Sequence, residues 1–223
     1  MGRNGWAMTP AFHHVETWIF DLDETLYPPS TPLFPQIERR MTLWIARHLH
    51  VAEAEADAMR RGWWERHGTS LAGLMIEHDV DPAPFLSDVH AVDLSGLAPD
   101  PELRAAIAAL PGRRIVHTNG PADYAGRVLE ARGLSGLFGA VHGIETTAHV
   151  PKPDAAAYHA VETADGYDPA RAAMFEDTAR NLAVPHARGT VGVLVGPGGI
   201  DAPHVTHHAH DLTAFLRGIA GGG

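Results

Sequence analysis

The stretch VETWIFDLDETLYPP at residues 15–29 decides the fold. Its first six residues, 15–20, are rich in β-branched and aromatic side chains and end abruptly in acids at Asp21, Asp23 and Glu24. That is the pattern of a buried strand feeding a polar loop, with the acids at the carboxyl end of the strand. Working outward, the Pro-rich break at 28–35 is followed by stretches with helical periodicity and good helix formers at 36–50, 52–67, 69–79 and 82–91. Turn-like borders enclose this block, Pro28-Pro29 at one end and Leu97-Ala98-Pro99-Asp100-Pro101 at the other.

From residue 101 the pattern alternates. Helices are predicted at 101–110, 121–132, 153–163, 178–187 and 211–218, and strands at 114–118, 139–142, 172–176 and 190–195. Repeated β then α implies a parallel sheet covered on both faces. The predicted class is α/β: a Rossmann-like core made of residues 1–27 and 99–223, with a small all-helical insert at 28–98 after the first strand. The APHVTHHAH segment at 202–210 and the final glycines read as a loop and a frayed end.

Composition narrows the function. With 223 residues, 45% hydrophobic and 20% charged, the chain has enough material for one buried core and an appendage. Seventeen Lys and Arg against twenty-seven Asp and Glu give a formal charge of -10, which removes the electrostatic basis of nucleic-acid polymer binding. The absence of cysteine excludes disulfides, thiolate zinc sites and cysteine nucleophiles. Neither the N-terminal MGRNGWAMTPAFHH nor any other stretch carries a long apolar run, so a cytoplasmic protein without a membrane partner is expected, monomer or homodimer.

In open parallel sheets ligands bind at the carboxyl ends of the strands, so polar residues just after strands are the candidates. Four places qualify: Asp21-Leu22-Asp23-Glu24-Thr25, His117-Thr118-Asn119-Gly120, Pro151-Lys152-Pro153 and Phe175-Glu176-Asp177-Thr178. Asp21 and Asp177, on neighbouring strands, offer the hard oxygen ligands that magnesium prefers. Such an ion would offset the repulsion between clustered carboxylates and an incoming phosphate. Thr118 and the backbone near Asn119 and Gly120 can donate to phosphate oxygens, and Lys152 adds a compact positive charge. Singly, each piece is also an ordinary turn or cap. Their conjunction in one order is what points to a site.

These four motifs, DLDETL at 21–26, HTNG at 117–120, Lys152 in VPKPDAAAY and FEDTARN at 175–181, resemble those of the haloacid dehalogenase superfamily of phosphohydrolases. The resemblance implies that Asp21 is a nucleophile forming an aspartyl-phosphate. It implies that Asp23 protonates the leaving oxygen and then activates water, while its backbone carbonyl joins Asp21 and Asp177 in binding Mg2+. Thr118 and Lys152 complete the catalytic set, and Leu22, Asn119 and Gly120 are the expected substrate-binding residues of the core. Dehalogenating members lack an Asp at the position of Asp23, so the expected reaction is hydrolysis of a small-molecule phosphate monoester. Glu176 and Asn181 are assigned only to the surroundings of Asp177.

In this superfamily a helical cap inserted after the first strand reads the leaving group, which directs attention to residues 28–98. The segment from Trp63 to Leu74, with Leu26-Tyr27-Pro28 and the FEDTARNL style of fourth motif, resembles the pyrimidine 5′-nucleotidase branch. Trp63, Trp64 and His67 are accordingly candidates to stack on a pyrimidine ring, although adjacent tryptophans on one helix cannot both face one pocket. UMP or CMP is the expected substrate. The alternatives are a capped phosphatase of phosphoglycolate or pyridoxal phosphate, and a catalytically silent binding module. His204, His207, His208 and His210 cluster near the C-terminus, where a solvated tail is the expectation rather than a transition-metal site.

Overall fold

The computed structural model describes residues 9–221. The start of the N-terminal segment, residues 1–8, and the last two glycines of the expected frayed end lie outside the described residues. Among the described residues the core is a six-stranded sheet. Its strands are β1 (Thr17–Phe20), β2 (Arg113–His117), β3 (Ala140–His142), β4 (Ala172–Glu176), β5 (Val191–Val195) and β6 (His207–Ala209). The order is β3-β2-β1-β4-β5-β6 with every pairing parallel. The chain therefore winds outward in both directions from the centre, and the switch falls between β1 and β4.

Alternation along the strands sorts side chains to two cores. Phe20, Val116, Phe175 and Val193 face one way and pack with residues of α5 (Pro101–Ala108), α6 (Ala122–Ala131) and α9 (Leu212–Gly221). Ile19, Ile115, Met174 and Leu194 face the other and pack with Tyr158 and Val161 of α7 (Ala155–Asp165). Both faces of β1 are covered, which is why it reads as a continuous apolar run rather than an alternating one.

Between β1 and α5 lie α1 (Phe34–Leu49), α2 (Glu53–His67), α3 (Ser70–His78) and α4 (Pro82–Val89). They enclose a separate apolar cluster of Trp44, Ile45, Trp63, Leu74, Phe85 and Val89, joined by Ile144 from the sheet side. Local chemistry fixes the boundaries. Thr69 and Asp81 accept from Ala72 and Ala83 N–H groups at the starts of α3 and α4, and Gly68 stops α2 at φ 87°. No helix among the described residues is long and apolar enough to cross a membrane.

Two sequence expectations need correction. The helix expected at 178–187 is a 3-10 turn, Ala179–Leu182, followed by the short α8 (Ala183–Ala187). Pro185 has no N–H to give the Asn181 carbonyl, and that carbonyl instead accepts from the Tyr158 hydroxyl. The segment expected as a loop at 202–210 contains β6. Its histidines hide the strand signal, but His207 lies against the rings of Phe12 and Phe215, and the His208 ring accepts from the Ile200 N–H. The histidine cluster is thus partly a sheet edge rather than a solvated tail.

Candidate active site

Asp21 is the first residue beyond β1, and its N–H continues the ladder to the Phe175 carbonyl of β4 at 2.9 Å. The switch point therefore delivers its side chain next to Glu176 and Asp177 at the end of β4. Oxygens of these three acids lie within 4.8 Å of one another. Lys152 is driven into this group, 1% exposed, and its ammonium donates to Asp21 Oδ1 at 2.7 Å, Glu176 Oε2 at 2.7 Å and the His117 carbonyl at 2.9 Å. All three of its protons are committed. Lys152 thus holds the nucleophile candidate by one oxygen and leaves Oδ2 free. The compact positive charge read from the sequence is thus an internal counter-ion to these acids.

The loops around Lys152 are tied to the second motif. Asn119 clamps the Lys152 backbone from both sides, its amide donating to the Lys152 carbonyl at 3.2 Å and its carbonyl accepting from the Lys152 N–H at 2.8 Å. The Asn119 side chain is thereby spent on positioning, although the residue borders the cavity. Thr118, buried, accepts from the Gly120 N–H at 3.0 Å, so its own hydroxyl proton stays available to a ligand. Leu22 is fully buried, and only its main chain is left to face a ligand. Asp23 borders the cavity, and its Oδ1 accepts from the hydroxyls of Tyr27 at 2.6 Å and Tyr124 at 2.7 Å. Burial, then the Asp23 charge, holds both phenols above their usual range, so they stay protonated donors.

Three carboxylates against one ammonium leave negative charge in excess. Burial first and Glu176 second push Asp21 up to about 8 and Asp177 up to about 10, while burial of Lys152 is outweighed by Asp21 and Glu176 and it stays charged. Glu176 has both oxygens committed, Oε2 to Lys152 and Oε1 to the Thr178 N–H. Asp21 and Asp177 remain, an all-oxygen donor set short of positive charge, and it fits magnesium. A pH dependence follows. Both carboxyls ordinarily titrate near 4. Raised in the folded state, they favour folding most below about pH 4, and that stabilisation drains away as pH climbs through 8 and beyond. In EDTA the melting temperature is expected to fall between pH 5 and pH 8.5, with added Mg2+ restoring more at the upper end than the lower. A flat profile in EDTA would count against the crowding.

Above the acids is a cavity of about 430 Å³. Its floor includes Asp21, Thr118 and Asp177, and its far wall is built from the helical block by Phe34, Ile37, Met41, Leu71 and Phe85. The expected aromatic contacts are corrected here. Trp63 is 1% exposed and packs inside the helical block, so close to Gly73 that a Cβ there would lie 2.1 Å from the indole. His67 bonds Glu77 through Nε2 at 2.9 Å and does not line the cavity. Of the three, Trp64 alone borders it. Consecutive helical residues point about 100° apart, so burying Trp63 turns Trp64 outward.

One residue escaped the sequence reading altogether. Arg180 lies over the Trp64 ring at 3.7 Å and donates to the carbonyls of Trp64 at 3.0 Å and Gly68 at 3.3 Å, tying the fourth motif to the end of α2. Gly68 lies close to the Lys152 loop: a Cβ there would sit 2.9 Å from the Lys152 carbonyl. A lone Arg in FEDTARN gives no sign of this, because its partners are main-chain groups of a segment more than a hundred residues away.

A family model described as haloacid dehalogenase-like hydrolase matches residues 15–186. Among solved structures, a HAD phosphatase from Thermococcus onnurineus is similar at 19% identity, covering 93% of this chain and 99% of its own, with a TM-score of 0.62. The L-2-haloacid dehalogenase from Xanthobacter autotrophicus with chloropropionic acid covalently bound is 18% identical over 94% of this chain and 100% of its own, TM-score 0.56. The HAD-hydrolase YfnB from Bacillus subtilis, bound to magnesium, is 14% identical over 91% and 97%, TM-score 0.56. At these identities the likeness speaks to the fold.

Proposed function

The chain belongs to the haloacid dehalogenase-like hydrolases, and from that premise we propose that it is a magnesium-dependent phosphatase of a small phosphate monoester. The observation that carries this reading is the second carboxylate: Asp23 borders the same cavity as Asp21, with Oδ1 held by two hydroxyls. A halide leaves as a stable anion and has no use for such a group. An alkoxide needs a proton.

In the proposed reaction Asp21 Oδ2 attacks phosphorus, the bond from phosphorus to the ester oxygen breaks, and that oxygen takes a proton from Asp23. Asp23, now a carboxylate, removes a proton from water. The resulting hydroxide attacks the aspartyl-phosphate, releasing inorganic phosphate and restoring Asp21. Lys152 orients Asp21, and the free Thr118 proton binds a phosphate oxygen. Asp21, Asp177 and the Asp23 main-chain carbonyl would hold the magnesium, whose charge offsets repulsion between these acids and the substrate.

Residues 28–98 are proposed as a cap that reads the leaving group and excludes water. A pyrimidine nucleoside monophosphate remains the first candidate substrate, with Trp64 as the stacking plane. Arg180 already covers one face of that ring, which leaves the other for a base. Release of phosphate should be measured from UMP, CMP, purine nucleotides, phosphoglycolate and pyridoxal phosphate, in Mg2+ and in EDTA. Turnover of UMP or CMP at least tenfold above the rest supports the nucleotide reading. Preference for the others moves the substrate, and silence in Mg2+ throughout removes the phosphatase.

A further inference from the structure

The proposed acid, Asp23, is held by two tyrosines that the proposed chemistry does not itself use. They come from separate elements: Tyr27 lies in the loop four residues beyond Asp23, and Tyr124 lies on α6, 101 residues away. Both are buried, 1% and 0% exposed, and neither lines the cavity. Both hydroxyls converge on one atom, Asp23 Oδ1, at 2.6 and 2.7 Å.

We infer that Tyr27 and Tyr124 are positioning residues that pin Asp23 Oδ1 from behind, so that Oδ2 is the oxygen presented to the leaving group. This rests on the reading of Asp23 as the acid. A carboxyl turns easily about its Cβ–Cγ bond. One hydrogen bond restrains it but leaves a swing about the contact, whereas two donors on different elements remove the swing. Phenols suit the task because a ring with few rotatable bonds, packed in a core, fixes its oxygen better than a water or a serine would.

The Tyr124 ring is itself confined. The His90 ring at the end of α4 packs on it with centroids 4.8 Å apart, and a Cβ at Gly120 would sit 3.2 Å from it. Gly120 of the second motif therefore lets the ring lie close, and the helical block supplies another wall. Mispositioning a proton-transfer group by about an ångström costs on the order of 10²-fold. The loss should be concentrated where the leaving oxygen most needs its proton.

The test compares kcat/KM for phenyl phosphate and p-nitrophenyl phosphate in Mg2+, across Tyr27→Phe, Tyr124→Phe and the double variant. The ratio of kcat/KM reports the step in which the ester bond breaks. Each single variant should lose about tenfold on phenyl phosphate, the double variant about a hundredfold, and p-nitrophenyl phosphate only a few-fold in each. In an Asp23→Ala background the tyrosine changes should add nothing, since they act through the missing carboxyl. Equal losses for both esters in the tyrosine variants, or full additivity with Asp23→Ala, would overturn the inference. If Asp23→Ala itself slows both esters equally, the acid reading fails instead. Phenylalanine keeps each ring, and thermal melts identify a variant that has lost packing. Either single variant carries the comparison if the double does not fold.

Discussion

Asp21→Asn is expected to lower phosphate-ester turnover by on the order of 10⁴-fold or more while leaving the fold intact. An amide has the shape of the carboxylate and almost none of its nucleophilicity, so the proposed covalent step has no attacking atom. The fold should tolerate the change because the structural bonds of this residue survive. The main-chain N–H still reaches the Phe175 carbonyl, and an amide oxygen can accept from Lys152 as Asp21 Oδ1 does. Replacing one of three crowded acids with a neutral group also relieves repulsion, so the melting temperature in EDTA at pH 8 should hold or rise. Phosphate release and thermal melts check both halves. Retained turnover would remove Asp21 as nucleophile, and a lower melting temperature would show that its charge stabilises the site.

Lys152→Met should be the more damaging change to stability. The ammonium is buried with Asp21, Glu176 and the His117 carbonyl as its partners, and methionine fills the space without the charge. Two buried carboxylates then face each other unpaired, a situation that costs about 3–5 kcal/mol when one partner of a buried pair is removed. Activity should fall by on the order of 10³-fold, because the proposed nucleophile Asp21 loses its fixed orientation and the pocket becomes more repulsive to the proposed phosphate substrate. The stability loss should shrink as the pH is lowered from 8 to 5, since carboxyls without a counter-ion take up protons instead. Urea unfolding at the two pH values measures this directly. A loss that is small and independent of pH would mean that the ion network does not hold the site together.

The sequence was most legible where a side chain's role is local. Buried apolar runs at 17–20 and 172–176 ending in acids mark the central strands and the candidate site at their ends, and the strands match the expected 15–20 and 172–176 to within two residues. Glu176 was only partly legible. That it is acidic is plain, but that it shares the Lys152 ammonium depends on how the 151–153 loop enters the sheet end. Trp63 and Trp64 were indistinguishable as letters, and the turn of α2 around its own core assigned one to packing and the other to the cavity. The strand at 207–209 was hidden because histidine carries no β signal, and its partner β5 alone explains it.

Amino-acid order by itself determined the layer architecture, the run of helices between the first two strands and the four clusters of candidate site residues, because hydrophobic period and strand-end chemistry are properties of neighbours along the chain. Tertiary structure decided which reactive atoms are free. Lys152 is consumed by Asp21, Glu176 and a carbonyl, Asn119 by the Lys152 backbone, and Asp23 is held by a tyrosine from a distant helix. The physical reason is that a hydrogen bond binds one particular donor to one particular acceptor, and only the fold decides which of them meet.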